Sequence, residues 1–179
     1  IEYLDQYCAD RFIDMVPHQN SLGHMASWLA QPEFAHLALT DGTVAPNTLN
    51  PLLDESLEFV DKLYGSLLPH FRSKYVCVGL DEAFALGKYQ SEEACNKYGK
   101  ANVFMDYLNK ISELCEKKYG KTIMFWSDMI KNYPESHTRI PENAVALNWG
   151  YDLILTQMAE EGCRDLQKLN IPYYVCPGT

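Results

Sequence analysis

Tyr75-Val76-Cys77-Val78-Gly79-Leu80-Asp81-Glu82 is the stretch from which the fold can be read. An apolar or small run passes directly into two adjacent carboxylates. The run is too short for a helix, and Val76 and Val78 are β-branched, so it predicts a strand over 75–80. Both parities are apolar, as in a parallel strand covered on both faces. Asp81 and Glu82 then fall at its C-terminal end, where α/β sheets and barrels gather their ligands and catalytic groups. The plainer alternative is that the pair caps a following helix.

Outward from this strand, the pattern alternates. Towards the N-terminus, Leu53, Leu57, Val60, Leu63, Tyr64 and Leu67 share one face of a helix over 52–68. A turn-rich connection over 41–51 precedes it. Residues 11–16 predict a further strand ended by Pro17, after a helix over 3–10. A polar loop over 17–24 follows, then a short helix over 25–29 and an apolar patch over 34–39. Towards the C-terminus, Val103, Phe104, Tyr107, Leu108, Ile111, Leu114 and Cys115 line a helix over 101–119, stopped by Gly120. Strands over 122–126, 144–147 and 172–176 follow, with a Pro-containing loop over 131–143 and a helix over 155–169 between them. Strands alternating with helices imply parallel pairing through right-handed crossovers. The candidates are an open doubly wound sheet and part of a (β/α)8 TIM barrel. No Gly-x-Gly-x-x-Gly follows any strand, so the dinucleotide fingerprint is missing. A whole barrel takes about 250 residues. With 179 residues and five predicted strands, the chain is expected to be part of one catalytic barrel domain over 1–179, with flanking strands missing.

Composition narrows the functional classes. Net charge is −9, which argues against nucleic acid or an anionic membrane as partner. No apolar run approaches the ~20 residues of a membrane span. Six cysteines, at 8, 77, 95, 115, 163 and 176, form no C-x-x-C pair, so no structural zinc is expected. They read as free thiols, three of them inside core elements, which weakly favours a reducing, cytoplasmic setting. No cofactor is implied.

The predicted strand ends collect polar and aromatic residues: His18, Gln19, Asn20 and His24 after the first, Asp81 and Glu82 after the second, Trp126 and Asp128 after the third, Trp149, Tyr151 and Asp152 after the fourth. Chemistry drawn from several strand ends is the habit of a barrel. Carboxylates beside tryptophans in one mouth suit a sugar, whose C–H faces stack on indole while its hydroxyls meet the acids. Each tryptophan alone is more often core packing; two at matching strand ends shift that balance, and Trp28 is assigned to packing. His36 and His137 read as surface or loop residues. His18, His24 and an acid match no metal-ligand spacing.

Four of these motifs stand in the order of a known family. Gly79-Leu80-Asp81-Glu82 resembles the Gly-x-Asp-Glu signature of glycoside hydrolase family 20, the β-N-acetylhexosaminidases. Ser21-Leu22-Gly23-His24-Met25, with Glu33-Phe34-Ala35-His36-Leu37 behind it, resembles the family's Gly-His segment, particularly in its hexosaminidase D-like branch. Phe125-Trp126-Ser127-Asp128-Met129 and Asn148-Trp149-Gly150-Tyr151-Asp152 resemble the next two strand ends. The chain would then hold about strands three to seven of the barrel. The resemblance implies a retaining exo-β-N-acetylhexosaminidase that releases terminal N-acetylglucosamine or N-acetylgalactosamine, with the substrate's 2-acetamido group as nucleophile. Glu82 would be the general acid and base, and Asp81 would hold the acetamido N–H. His24 would orient the acid, Trp126 and Trp149 would wall the acetamido methyl, and Tyr151 would donate to the acetamido oxygen. Asp128 and Asp152 would meet sugar hydroxyls. Leu80 stands where the family commonly has glycine or another small residue. The family's early arginine and acid, and a later pocket tryptophan, are not in this sequence, so the segment is expected to be inactive or poorly folded by itself. A two-carboxylate retaining glycosidase, with Asp128 or Asp152 as nucleophile, and a non-catalytic sugar-binding barrel are the competing readings.

Overall fold

The structure is a computed structural model describing residues 1–131, 133–151 and 153–178. Its centre is a parallel sheet, β1 (Tyr75–Cys77), β2 (Thr122–Trp126), β3 (Val145–Gly150) and β4 (Tyr173–Pro177), in that spatial order. Helices follow the strands in sequence: α4 (Glu92–Tyr98) and α5 (Lys100–Tyr119) after β1, α6 (Asp128–Lys131) after β2, and α7 (Leu153–Lys168) after β3. Before β1 come α1 (Glu2–Ala9), α2 (Ala26–Leu29) and α3 (Asp54–Leu67). Neighbouring strands in sequence are neighbours in space, joined by helical crossovers, which is the winding of a barrel wall and not of a doubly wound sheet.

The register explains why the strands are apolar on both parities. Val76 pairs with Ile123, and Phe125 with Ala146; these side chains join the main core with Phe104, Tyr107, Leu108 and Ile111 of α5. The alternate residues Cys77, Met124, Val145 and Leu147 form a second, smaller cluster with Val16, Trp126 and Cys176 on the opposite face. A sheet with helices on one side and a compact apolar cluster on the other is a barrel wall with its interior filling. The partly buried indole of Trp126 stands at the top of that filling.

Three expectations change. Residues 11–16 are not a strand. Phe12 adopts a left-handed conformation (φ 58°) and is fully exposed. The pairing is displaced to 17–19: Cys77 N–H donates to the Pro17 carbonyl at 2.8 Å, Gln19 N–H donates to the Cys77 carbonyl at 3.0 Å, and His18 bridges Cys77 in parallel. Pro17 has no N–H to extend the ladder. The strand over 75–80 also stops early, at Cys77, because Gly79 and Leu80 both take positive φ (72° and 75°). The loop expected over 131–143 contains a 3-10 turn, Pro134–Arg139. The expected helices over 101–119 and 155–169 and the strand over 122–126 are present within two residues. All six cysteines are free thiols, with Cys77, Cys95 and Cys115 buried; burial holds the Cys77 thiol up at about 11 and that of Cys115 at about 12.

Candidate active site

β1 ends at Cys77, and the chain then turns through left-handed residues at Gly79, Leu80 and Glu82. On a continuing strand, adjacent side chains would point to opposite faces. This turn instead brings Asp81 and Glu82 to the same side. The segment does not cap a helix: turns follow Glu82 before the next helical residues begin at Tyr89. Non-glycine residues in the left-handed region cost of order 1–3 kcal/mol each and persist only where packing over-determines them. Leu80 is held by complete burial. Gly79 has no alternative, since a Cβ there would stand 2.1 Å from Asn20 Oδ1.

The loop over 17–24 lies against this turn. Ser21 Oγ donates to the Val78 carbonyl at 2.8 Å, and Tyr107 of α5 donates its hydroxyl proton to the Ser21 carbonyl, also at 2.8 Å. Gly23 sits so close to the acidic pair that a Cβ would stand 2.0 Å from the Asp81 carbonyl oxygen. These contacts deliver His24, itself left-handed at φ 57°, to the carboxylates. Its Nε2 lies 3.1 Å from Asp81 Oδ2 and 3.3 Å from Glu82 Oε2. One imidazole nitrogen therefore spans both acids. Asp81 is the more enclosed, its side chain 15 % exposed against 36 % for Glu82, and its Oδ1 is buried with no hydrogen-bond partner in the protein.

The strand ends of β2 and β3 close the arrangement. Asp128 Oδ2 accepts the Glu82 backbone N–H at 3.1 Å. Burial pushes the Asp128 carboxyl up to about 6, and the nearby Asp81 and Glu82 charges push the same way. Its Oδ1, like Ser127 Oγ, is buried and unpartnered. A hollow of about 340 Å³ opens beside the pair, lined by His18, Asn20, His24, Asp81, Glu82, Trp126, Trp149 and Tyr151. His18 meets Trp126 edge-on at 6.2 Å, and Trp149 packs on Tyr151 at 5.3 Å. Gly178 backs the tyrosine so closely that a Cβ would meet its ring at 2.0 Å.

The hollow thus contains six of the eight residues singled out from the sequence: His24, Asp81, Glu82, Trp126, Trp149 and Tyr151. Asp128 stands behind Glu82 as a backbone acceptor and not in the hollow, and Asp152 lies outside the described residues. Trp28 packs against Phe34 and Phe59, His36 pairs with Glu55 at the surface, and His137 contacts the Ile130 carbonyl. Ser21, Gly23 and Tyr107 position the histidine loop and were not legible as site residues. Gly23 stood inside the quoted motif, but nothing in a helix-face tyrosine announces a hydroxyl reaching a carbonyl 86 residues away. Among the described residues, no group of three His, Cys, Asp or Glu side chains is gathered to hold a cation.

The model of glycosyl hydrolase family 20, catalytic domain, matches residues 1–175. The chain belongs to this family. Hexosaminidase D of Bos taurus is 26% identical over 147 residues, covering 78% of this chain and 42% of that protein. Lacto-N-biosidase of Bifidobacterium bifidum is 31% identical over 130 residues, 67% of this chain and 12% of that one. The chain therefore spans less than half the length of these relatives. Among solved structures, a β-N-acetylhexosaminidase from Bacteroides fragilis superposes with a TM-score of 0.74 over 96% of this chain and 33% of its own, at 21% identity. A chitobiase from Flavobacterium johnsoniae gives 0.77 over 97% and 27%, at 18% identity. These likenesses assign the sheet to the family 20 barrel.

Proposed function

We propose that the protein is a retaining exo-β-N-acetylhexosaminidase acting by substrate assistance on terminal N-acetylglucosamine or N-acetylgalactosamine. The observation that carries this reading is the convergence of Asp81 and Glu82 on His24 Nε2, at 3.1 and 3.3 Å, beside a hollow walled by Trp126, Trp149 and Tyr151. Membership in a family whose members use the substrate's amide, and relatives named hexosaminidase D, support it.

In this reading the sugar ring lies against the indoles, its acetamido group towards Asp81. The Asp81 carboxylate accepts the acetamido N–H, which raises the nucleophilicity of the amide oxygen and stabilises the positive charge that develops on it. The amide oxygen attacks C1 while Glu82 gives its proton to the glycosidic oxygen, so the C–O bond to the leaving group breaks with its electrons on a neutral alcohol. An oxazolinium ion remains. Water then attacks C1, Glu82 takes the water's proton, and the amide re-forms with overall retention. Tyr151, braced by Trp149 and Gly178, donates to the acetamido oxygen. His24 holds the two carboxylates in register. Asp128 anchors the backbone of the acid and is not needed as a nucleophile. Of the two candidates for a two-carboxylate mechanism, Asp128 has its Oδ2 engaged by the Glu82 N–H, and Asp152 lies outside the described residues.

The test is hydrolysis of 4-methylumbelliferyl N-acetyl-β-glucosaminide by the protein's full chain and its Glu82→Gln variant. Wild type is expected to turn over, and the variant to lose about 10²–10⁴-fold in kcat, the usual contribution of a positioned acid. Sugar binding without turnover by the wild type would instead identify a non-catalytic sugar-binding barrel. Equal rates in both proteins would remove Glu82 from the chemistry.

A further inference from the structure

Glu82 borders more than the aromatic hollow. On its other side lies a larger one, of about 540 Å³, which also shares Trp149. Its polar lining is unusual for this chain. Three lysines, Lys88, Lys100 and Lys131, face a space whose carboxylates are Glu82 and Asp128, although acids outnumber bases 24 to 15 overall. Among the described residues, the lysine ion pairs are those of Lys110, Lys117, Lys118 and Lys168. Among the described residues, the three lysines of the hollow form no ion pair, although the Asp128 charge acts on Lys131.

Two of the three run close against glycines. The Lys100 stem runs 3.2 Å from where a Cβ of Gly87 would be, and the Lys131 Nζ lies 2.9 Å from the equivalent point at Gly162. Burial holds both ammonium groups below the ordinary lysine range, and the charge of Lys88 adds to this at Lys100. An anion would relieve that cost. Phe84, two residues after the acid and 65 % exposed, stands at the border of this hollow. An exposed aromatic beside a cationic lining offers a sugar ring a face to stack on and its acidic substituent a partner.

A general acid protonates the bond between the glycone and its leaving group, so the two must flank its carboxyl. With the glycone in the aromatic hollow, the leaving group falls in the lysine-lined one. We infer that this second hollow receives the leaving group and selects leaving groups that carry a carboxylate or sulfate. The inference rests on the proposed hexosaminidase reading and adds the class of substrate to it.

The experiment compares kcat/KM of the full chain for two matched pairs. One is N-acetylglucosaminyl-β-1,4-glucuronic acid and its methyl ester, the other N-acetylglucosaminyl-β-1,3-galactose with and without a 6-sulfate. The expected result is a preference of at least about fivefold for the anionic member of one pair at low ionic strength, the upper effect of a single exposed ion pair. That ratio should fall towards one at about 0.5 M salt, where charges are screened within a few ångströms, and in the combined Lys88→Met, Lys100→Met and Lys131→Met variant. The pair that shows the preference identifies carboxylate or sulfate as the recognised group. Equal rates within both pairs, or a preference untouched by salt, would overturn the inference while leaving the hexosaminidase reading intact. Failure to cleave any of the four would overturn that reading and this one with it.

Discussion

Asp128, expected from its place in the sequence to meet sugar hydroxyls, is also tied to the backbone of the acidic pair. The fold turns it under the acidic pair, where its Oδ2 takes the Glu82 N–H. Burial raises its carboxyl from 3.8 to about 6. The folded protein therefore keeps a proton there that the unfolded chain has already released, so stability is fullest below about pH 4. It declines as pH rises to about 6 and is level above that. Two pH units correspond to roughly 3 kcal/mol at most. Asp128→Asn cannot titrate, so urea unfolding across pH 4 to 7 is expected to show wild type losing stability relative to the variant up to about pH 6. A constant difference across that range would contradict the assigned burial.

At the scale of elements, the loop over 17–24 and helix α5 decide where His24 stands. Gly23 is required by the approach of the Asp81 carbonyl, 2.0 Å from the position of an added Cβ. Gly23→Ala must push the histidine loop off the acidic turn, at about 1–3 kcal/mol for an overpacked contact. The expected result is a lowered melting temperature together with a fall in kcat/KM on the aryl glucosaminide; a variant with wild-type kinetics would show that the turn does not depend on this contact. Tyr107→Phe leaves the Ser21 carbonyl without its donor, and an unfolding free energy lower by about 1–3 kcal/mol is expected from denaturant titration. Periodicity made α3 and α5 legible, because each has one continuous apolar face, and β2, because its short apolar run is buried on both faces. It failed over 11–16, where apolar residues suggested a strand. Pairing there needs backbone donors next to β1, and Pro17 displaces the ladder to 17–19. It also failed to end β1 at Cys77, since nothing in Val78-Gly79-Leu80 announces a leucine in the left-handed region. That conformation depends on tertiary packing around Leu80.

Across the whole molecule, the sheet brings side chains from four separate segments of the chain to one rim. Parallel strands in sequential order put every C-terminal end on the same side, so residues 81–82, 126 and 149–151 meet without adjacency in the chain, and the loop over 17–24 adds His24. The motif order was therefore enough to anticipate the aromatic hollow. The second hollow was not legible, because its three lysines come from the bend before a 3-10 turn (Lys88), the start of α5 (Lys100) and the end of the short helix α6 (Lys131), with no shared pattern. The central claim is that the sugar's own amide performs the attack. Its most direct measurement is kcat/KM of the full chain for aryl N-acetyl-β-glucosaminides whose acetyl group carries zero, one, two or three fluorines. A steep fall with each fluorine is expected, as the amide oxygen becomes a weaker nucleophile; a series of equal rates would show that the amide takes no part.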